Sequence, residues 1–333
     1  MADRHVVVPY DQSNSTVRAR ALHWIERFEH SNRGSQQSVV VHGPGFGGGS
    51  IPKGSDVLLL RNIRRLTRGR REQRLFNDAR LAVYDLDDGL PWDDGRLPGL
   101  GRWWKRPFPL SLVALRTASA ADRLVVGNDV LAEWGSQYCD DVRIVPTCIE
   151  PSEYDTRSSW DLEGRVPVIG WIGSPATEPY LDEVAAALAI VHRQTGARVH
   201  MISGDGPAPE SLAAFTWKMR WHPESVKTIA EWDVGIMPLR DGAYERAKCG
   251  YKLLQYAASG VPAVASPVGV NRQLLTEMDG LAAVSHDDWV EALCGLISES
   301  SERRRQRATS GFVVANRYSY DTWEDTWIEA VGW

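Results

Sequence analysis

Cysteine is scarce in this chain. Its 333 residues hold four cysteines (Cys139, Cys148, Cys249 and Cys294), with no CxxC pair and no histidine at zinc-finger spacing. Neither a disulfide scaffold nor a zinc knot is therefore expected. Long apolar runs are missing too, and nothing approaches the roughly 18 consecutive apolar residues of a membrane-spanning helix. The opening MADRHVVVPYDQSNS carries only a brief apolar run around Val6–Val8, too short for the core of a signal peptide. Positive charge is not in excess either: Lys+Arg 38 against Asp+Glu 43 gives a formal net charge of -5, which argues against a nucleic-acid partner. What remains is an ordinary globular composition, 43% hydrophobic and 24% charged, long enough for two domains. A soluble, cytoplasmic protein is expected.

Short β-branched runs recur along the chain. They lie at His5–Pro9, Ser38–His42, Val57–Leu60, Leu81–Tyr84, Arg123–Val126 and Val142–Val145, then at Val166–Ile172, Arg198–Ile202, Val234–Met237, Ala263–Ala265 and Gly280–Val284. Helix-length segments such as Asn14–His30, Leu181–Gln194, Lys252–Ala258 and Asp287–Ser298 separate them. Buried strands alternating with amphipathic helices predict an α/β protein with parallel sheets covered on both faces. These runs exceed one comfortable doubly wound sheet, so two Rossmann-like halves are expected, facing each other across a cleft. The polar, Pro- and Ser-bearing stretch Ile149–Arg165 is the expected seam. Trp323 and Trp327, at i and i+4, put two large rings on one face of a final helix.

Ligands of such sheets sit beyond the carboxyl ends of the strands. Val168-Ile-Gly-Trp-Ile-Gly-Ser-Pro-Ala-Thr177 runs from a strand into Gly173 and Ser174, with Thr177 ahead of the next helix. Glycine there lets backbone amides approach an anion, and hydroxyls add donors; a plain capped turn reads equally well. Met201-Ile-Ser-Gly-Asp-Gly-Pro207 brings Ser203 and Gly204 to a second strand end, without a full dinucleotide fingerprint. The third stretch, DGAYERAKCGYKLLQYAASGVPAVASPVGVN (241–271), carries the most information. Lys248 and Lys252 flank the start of a helix at Gly250-Tyr251, where unpaired N–H groups already favour an anion such as a diphosphate. The alternative is that these lysines are solvated or pair with Glu245.

The run Gly250–Asn271 resembles the nucleotide-sugar-binding half of retaining GT-B glycosyltransferases, in particular glycosyltransferase family 4, and the resemblance extends over Val166–Trp333. It implies a GT-B fold: residues 1–150 as an acceptor-binding Rossmann-like domain, 151–317 as a nucleotide-sugar-binding one, and 318–333 as a helix crossing back onto the first. It also implies retained anomeric configuration, no metal and no cofactor beyond the nucleoside-diphosphate sugar donor. The family's paired glutamates fall here on Ala247 and Gln255. The Gln255 amide can still meet a ribose hydroxyl, whereas Ala247 cannot hold a sugar, and Glu245 is the candidate to replace it. The family's Arg and Lys after the first strand of this half are absent, and Lys248 and Lys252 are expected to supply that charge. Glu245, Lys248 and Lys252 are thus the catalytic candidates, with Gly173, Ser174, Thr177, Ser203, Gly204, Gly250, Tyr251 and Gln255 around the donor. A coupling enzyme using the same donor site, or a nucleotide-sugar binder without turnover, stays open beside the transferase reading.

The first half says less. Tyr84-Asp-Leu-Asp-Asp88 ends a strand, so Asp87 and Asp88 could receive acceptor hydroxyls, or equally lie in a solvated loop. His42 opens a glycine-rich exit loop, His42–Gly49, which lacks the ending of a phosphate loop and is a candidate acceptor contact. Arg61–Arg74 holds arginines at 61, 64, 65, 68, 70, 71 and 74. Such runs are mostly solvated helix faces, with an anionic membrane as the minority reading.

Overall fold

The computed structural model describes residues 3–11, 14–31, 38–44, 46, 51–61, 67–93 and 109–333. Two compact units emerge. The first comprises Met1–Cys148, Gly242–Cys249 and Tyr320–Trp333, and the second Ile149–Asp241 and Gly250–Ser319. The segment Gly242–Cys249, expected within the donor half, thus clusters with the first unit. No helix among the described residues is long and apolar enough to cross a membrane.

Strands β1 (Arg4–Val7), β2 (Val39–His42), β3 (Asp56–Leu60), β4 (Leu81–Leu86), β5 (Arg123–Val126) and β6 (Val142–Ile144) form the sheet of the first unit. It is six-stranded and parallel, in the order β2-β1-β3-β4-β5-β6. Strand alternation divides its core in two. Val6, Leu58, Leu60, Val83 and Val125 face one side, where they meet Trp24, Phe28, Trp327 and Ile328. Val7, Val57, Leu59, Ala82, Tyr84 and Leu124 face the other, against Phe76, Leu110, Ala114 and Leu131. The last helix, Tyr320–Val331, brings Trp327 parallel to Trp24, with ring centroids 5.3 Å apart, and Trp333 meets Trp327 edge-on at 5.2 Å.

The second sheet contains β7 (Val168–Ile172), β8 (Arg198–Ser203), β9 (Thr216–Arg220), β10 (Val234–Met237), β11 (Ala263–Ala265) and β12 (Leu281–Ala282). Its order is β12-β11-β10-β7-β8-β9, and all its pairs are parallel. Strand β9 has no counterpart in the sequence reading. It is an edge strand of charged and half-exposed residues, TWKMR, with none of the buried β-branched residues that mark its neighbours. The chain runs outward from β7 to β9 and then returns to place β10 beside β7. The carboxyl ends of β7 and β10 therefore flank a topological switch point, where open α/β sheets form their ligand crevice.

Charge is buried in both units. Arg20 is 0% exposed and grips Asp85 with both arms, Nε at 3.0 Å and Nη2 at 2.6 Å, while Nη1 donates to the Val145 and Pro146 carbonyls. Burial opposes its charge, but the Asp85 carboxylate outweighs that and holds the guanidinium above its ordinary range. Removing one member of such a pair leaves an uncompensated buried charge. Arg20→Met should therefore cost about 3–5 kcal/mol in chemical denaturation, and adding Asp85→Asn should recover part of that loss.

His200, on β8 and 2% exposed, accepts the Trp232 indole N–H on Nδ1 at 2.8 Å. Burial pushes its pKa down from 6.5 to about 4. In the unfolded chain the ring takes up a proton near the ordinary value, whereas in the folded chain it stays neutral. The contribution is complete above the unfolded pKa and is lost as pH falls through the folded one. A stability–pH curve should decline across that window by up to about 3 kcal/mol more than the curve of His200→Asn, which cannot titrate.

Candidate functional site

In the second unit, several expected residues meet at the carboxyl ends of β7, β8, β10 and β11. Gly173 leaves β7 with its N–H on the Ile202 carbonyl, 2.9 Å away. Ser174 is exposed, and Thr177 closes the following turn by donating its hydroxyl to the Ser174 carbonyl at 2.9 Å. Ser203 ends β8 fully buried and donates to Glu178 Oε1 at 2.5 Å, while Gly204 packs against Pro175. Lys218, from β9, reaches the same Glu178 oxygen at 2.8 Å. Ser266, after β11, accepts the Leu239 N–H at 3.0 Å and so ties the exits of β10 and β11 together.

Gly250 opens the helix Tyr251–Ala258 in the left-handed region, φ 67°, and no side chain caps that helix. A Cβ at Gly250 would lie 2.4 Å from Leu274 Cδ1, so both backbone and space call for glycine. An uncapped first turn presents the positive end of the helix dipole at the strand edge. Lys252 stands on that turn, its ammonium 5.6 Å from the centre of the Trp171 ring. Gln255, the expected ribose contact, is 5% exposed and donates Nε2 to the Tyr154 hydroxyl at 3.1 Å. That hydroxyl lies 3.4 Å from the Tyr251 hydroxyl. The Gln255 amide is thus linked through Tyr154 to the phenol of Tyr251, the first residue of the helix. Burial drives the Tyr154 hydroxyl well above its ordinary pKa, so it remains a neutral donor.

The remaining expected residues belong to the first unit. Lys248 bonds Asp88 Oδ1 at 3.1 Å, so its ammonium is committed to a carboxylate of that unit rather than standing open beside the helix start. The reason is charge: Asp87 and Asp88 follow β4 with only 10% and 17% of their side chains exposed, and each needs a cation. Arg61 supplies the other one, with Nε 2.9 Å from Asp87 and Nη2 3.4 Å from Asp88. Burial opposes the charge of Asp88, but Lys248, Arg61 and the Gly89 N–H together hold its carboxyl well below the ordinary range. Its oxygens already accept from Lys248, Arg61, the Tyr244 hydroxyl and the Gly89 N–H. Ala247 is 0% exposed in the core of the first unit, and Glu245 is half-buried on the short helix Ala243–Arg246.

His42 ends β2 with Nε2 2.9 Å from His5 Nδ1, and its ring packs on Phe46 at 4.2 Å. Burial, reinforced by His5, lowers its pKa, so a neutral imidazole stands there. Gly45 and Gly47–Gly49 of its exit loop lie outside the described residues, as do Arg64 and Arg65 of the basic run. In that run Arg61 is a half-buried ion-pair partner rather than part of a solvated face, while Arg68, Arg70 and Arg74 are exposed. No group of three or more His, Cys, Asp or Glu able to hold a metal ion occurs among the described residues. Glu178, Lys218, Tyr154 and Tyr244 went unmarked in the sequence reading. The first two become visible only once β9 is recognised as a strand.

Residues 166–299 match the family Glycosyl transferases group 1. No curated protein matches the chain. Among solved structures, WaaG, a glycosyltransferase involved in lipopolysaccharide biosynthesis, is 13% identical, with 98% of this chain and 99% of that chain covered at a TM-score of 0.68. Anabaena HepE, in complex with UDP and glucose, is 12% identical over 100% of both chains, TM-score 0.69. TarM from S. aureus, in a complex that includes UDP, is 9% identical over 83% of this chain, TM-score 0.59; this chain spans 55% of its length. At these identities the likeness establishes a shared fold, the GT-B arrangement of two parallel α/β sheets, and not a shared substrate.

Gly250→Ala tests the helix opening. Gly196 is also left-handed, φ 73°, but a Cβ there meets nothing within 4 Å. Gly196→Ala should lose only the backbone preference, about 1–2 kcal/mol. Gly250→Ala should lose clearly more in the same denaturation series, because Leu274 must also move.

Proposed function

We propose that this chain, whose residues 166–299 match the family Glycosyl transferases group 1 and whose sheets have the GT-B fold, moves a sugar from a nucleoside diphosphate to an acceptor in the cytoplasm. One observation carries the reading: the uncapped helix opened by left-handed Gly250, with Lys252 on its first turn, at the carboxyl edge of the second sheet. A diphosphate placed there meets about half a unit of positive charge from the helix end together with a full ammonium. Gly173, Ser174 and Thr177 offer a second turn at the same edge, and Ser203 and Gly204 a third. Tyr251 carries the Gln255 amide's influence outward to the ribose through Tyr154. The UDP of the HepE and TarM complexes makes uridine diphosphate sugars the first donors to try.

In this reading, negative charge grows on the departing diphosphate as the glycosidic bond weakens. Donors already fixed around it stabilise that charge more than they stabilise the ground state. Glu245 contacts the donor sugar. The departing phosphate takes the acceptor's proton on the face it leaves, so the anomeric configuration is retained without a carboxylate nucleophile or a metal. The acceptor falls to the first unit, whose own switch point lies between β1 and β3, with His42 at the end of the neighbouring β2. A second reading has one observation behind it. The family's sugar-contacting glutamate is replaced by the buried Ala247, which suits a binder that does not turn its ligand over.

Thermal denaturation with UDP, GDP, TDP and ADP sugars separates these readings from an unrelated activity. The right donor at about 100 times its Kd should add about 2.7 kcal/mol, and no shift with any of them sinks the proposal. Lys252→Ala should weaken that donor at least about fivefold, the loss of one charge–phosphate contact. Slow donor hydrolysis without acceptor, persisting in EDTA, distinguishes the transferase from the binder. NMR of the product anomer then tests retention.

A further inference from the structure

The residues Gly242–Cys249 lie in sequence between β10 and the helix Tyr251–Ala258, yet they are seated in the first unit. The seat is shaped for them. A Cβ at Gly89 would stand 2.4 Å from the Tyr244 carbonyl oxygen, and one at Gly127 would stand 2.2 Å from Cys249 Sγ. Asn128, 4% exposed, uses both ends of its amide: Oδ1 accepts the Leu131 N–H at 3.0 Å, and Nδ2 donates to the Ala247 carbonyl at 2.8 Å. The Cys249 thiol donates to the Asp87 carbonyl at 3.2 Å.

The charged grip belongs to Asp88. Its Oδ1 holds Lys248 Nζ at 3.1 Å, and its Oδ2 accepts the Tyr244 hydroxyl at 3.4 Å. The Lys248 ammonium also stands 4.7 Å from the centre of the Tyr244 ring. Arg61, backing the same carboxylate, keeps Asp88 from turning away. Glu245 lies between the two gripped residues, and the segment continues directly into Gly250.

We propose that Asp88 is a positioning residue for the transfer: by holding Lys248 and Tyr244 it fixes the backbone of Gly242–Cys249 and with it the carboxylate of Glu245. The inference rests on the transferase reading, in which Glu245 contacts the donor sugar. It removes Lys248 from the phosphate-binding set and gives it a mechanical task. A displacement of about 1 Å in a group that meets the reacting sugar costs on the order of 100-fold in rate, while binding of the bare nucleotide, which uses only the second unit, is untouched.

The test uses the full chain with Asp88→Asn, Lys248→Met, the double variant and Lys248→Arg. Hydrogen exchange of the amides of 242–249, read without substrate, should speed up at least about tenfold in Asp88→Asn and Lys248→Met relative to the strands of the first sheet. With donor and acceptor, kcat should fall on the order of 10–100-fold in both, while the Kd for UDP changes by less than about twofold. The double variant should be no worse than either single one, since both break the same contact, and Lys248→Arg should recover most of the loss. A role confined to stability would lower the melting temperature but leave kcat per folded molecule unchanged. That result, or exchange of 242–249 unaltered by Asp88→Asn, overturns the proposal. Absence of turnover in the unaltered protein would instead refute the transferase reading, with the exchange measurement still deciding whether Asp88 is the anchor.

Discussion

The end of β4 places the carboxylates of Asp85, Asp87 and Asp88 within four residues, all three largely shielded from water. Such a cluster folds only if a cation reaches each member, because a buried charge without a partner is far more costly than a paired one. The cations come from remote parts of the chain: Arg20 from the helical stretch after β1, Arg61 from the end of β3, and Lys248 from the segment after β10. Much of the first unit's architecture follows from satisfying this one strand end. Arg61 even takes a left-handed backbone, φ 58°, to do so, with its N–H on the Asp85 carbonyl.

The architecture was largely legible in the sequence because parallel sheets covered on both faces demand continuous apolar strands, and these are visible in a single chain. The runs at Val57–Leu60, Arg123–Val126, Arg198–Ile202 and Val234–Met237 fall on observed strands. Strand β9 was not legible, since an edge strand half open to water carries Thr216, Lys218 and Arg220 where a central strand carries valine or isoleucine. The membership of Gly242–Cys249 was hidden for a different reason. Its seat is made by Gly89 and Gly127, whose meaning lies in what they leave empty.

The candidate site divides along the same line. Backbone features could be read from residue order: glycine at the exit of β7, glycine at the start of the Tyr251 helix and serine at the end of β8 all stand at strand ends or helix starts. Side-chain partnerships could not. Lys248 and Lys252 look equivalent on paper, four residues apart around one helix start, yet one is held by Asp88 and the other stands over Trp171. Gln255 is likewise turned inward to Tyr154, a residue from the stretch expected to be only a linker. Pairing depends on which distant residues arrive nearby, and no local pattern encodes that.

The first unit is completed from the far end of the chain. Trp24, Ile25 and Phe28 are covered by Trp327, Ile328 and Trp333, and Tyr320 donates its hydroxyl to the Ala19 carbonyl at 3.0 Å. During synthesis, residues up to Cys148 therefore leave the ribosome with an aromatic face uncovered, and they wait for the closing helix for roughly 10–40 s at ordinary elongation rates. A nascent chain in that state is a natural client for chaperones, and one cut short before Tyr320 keeps the sticky surface permanently.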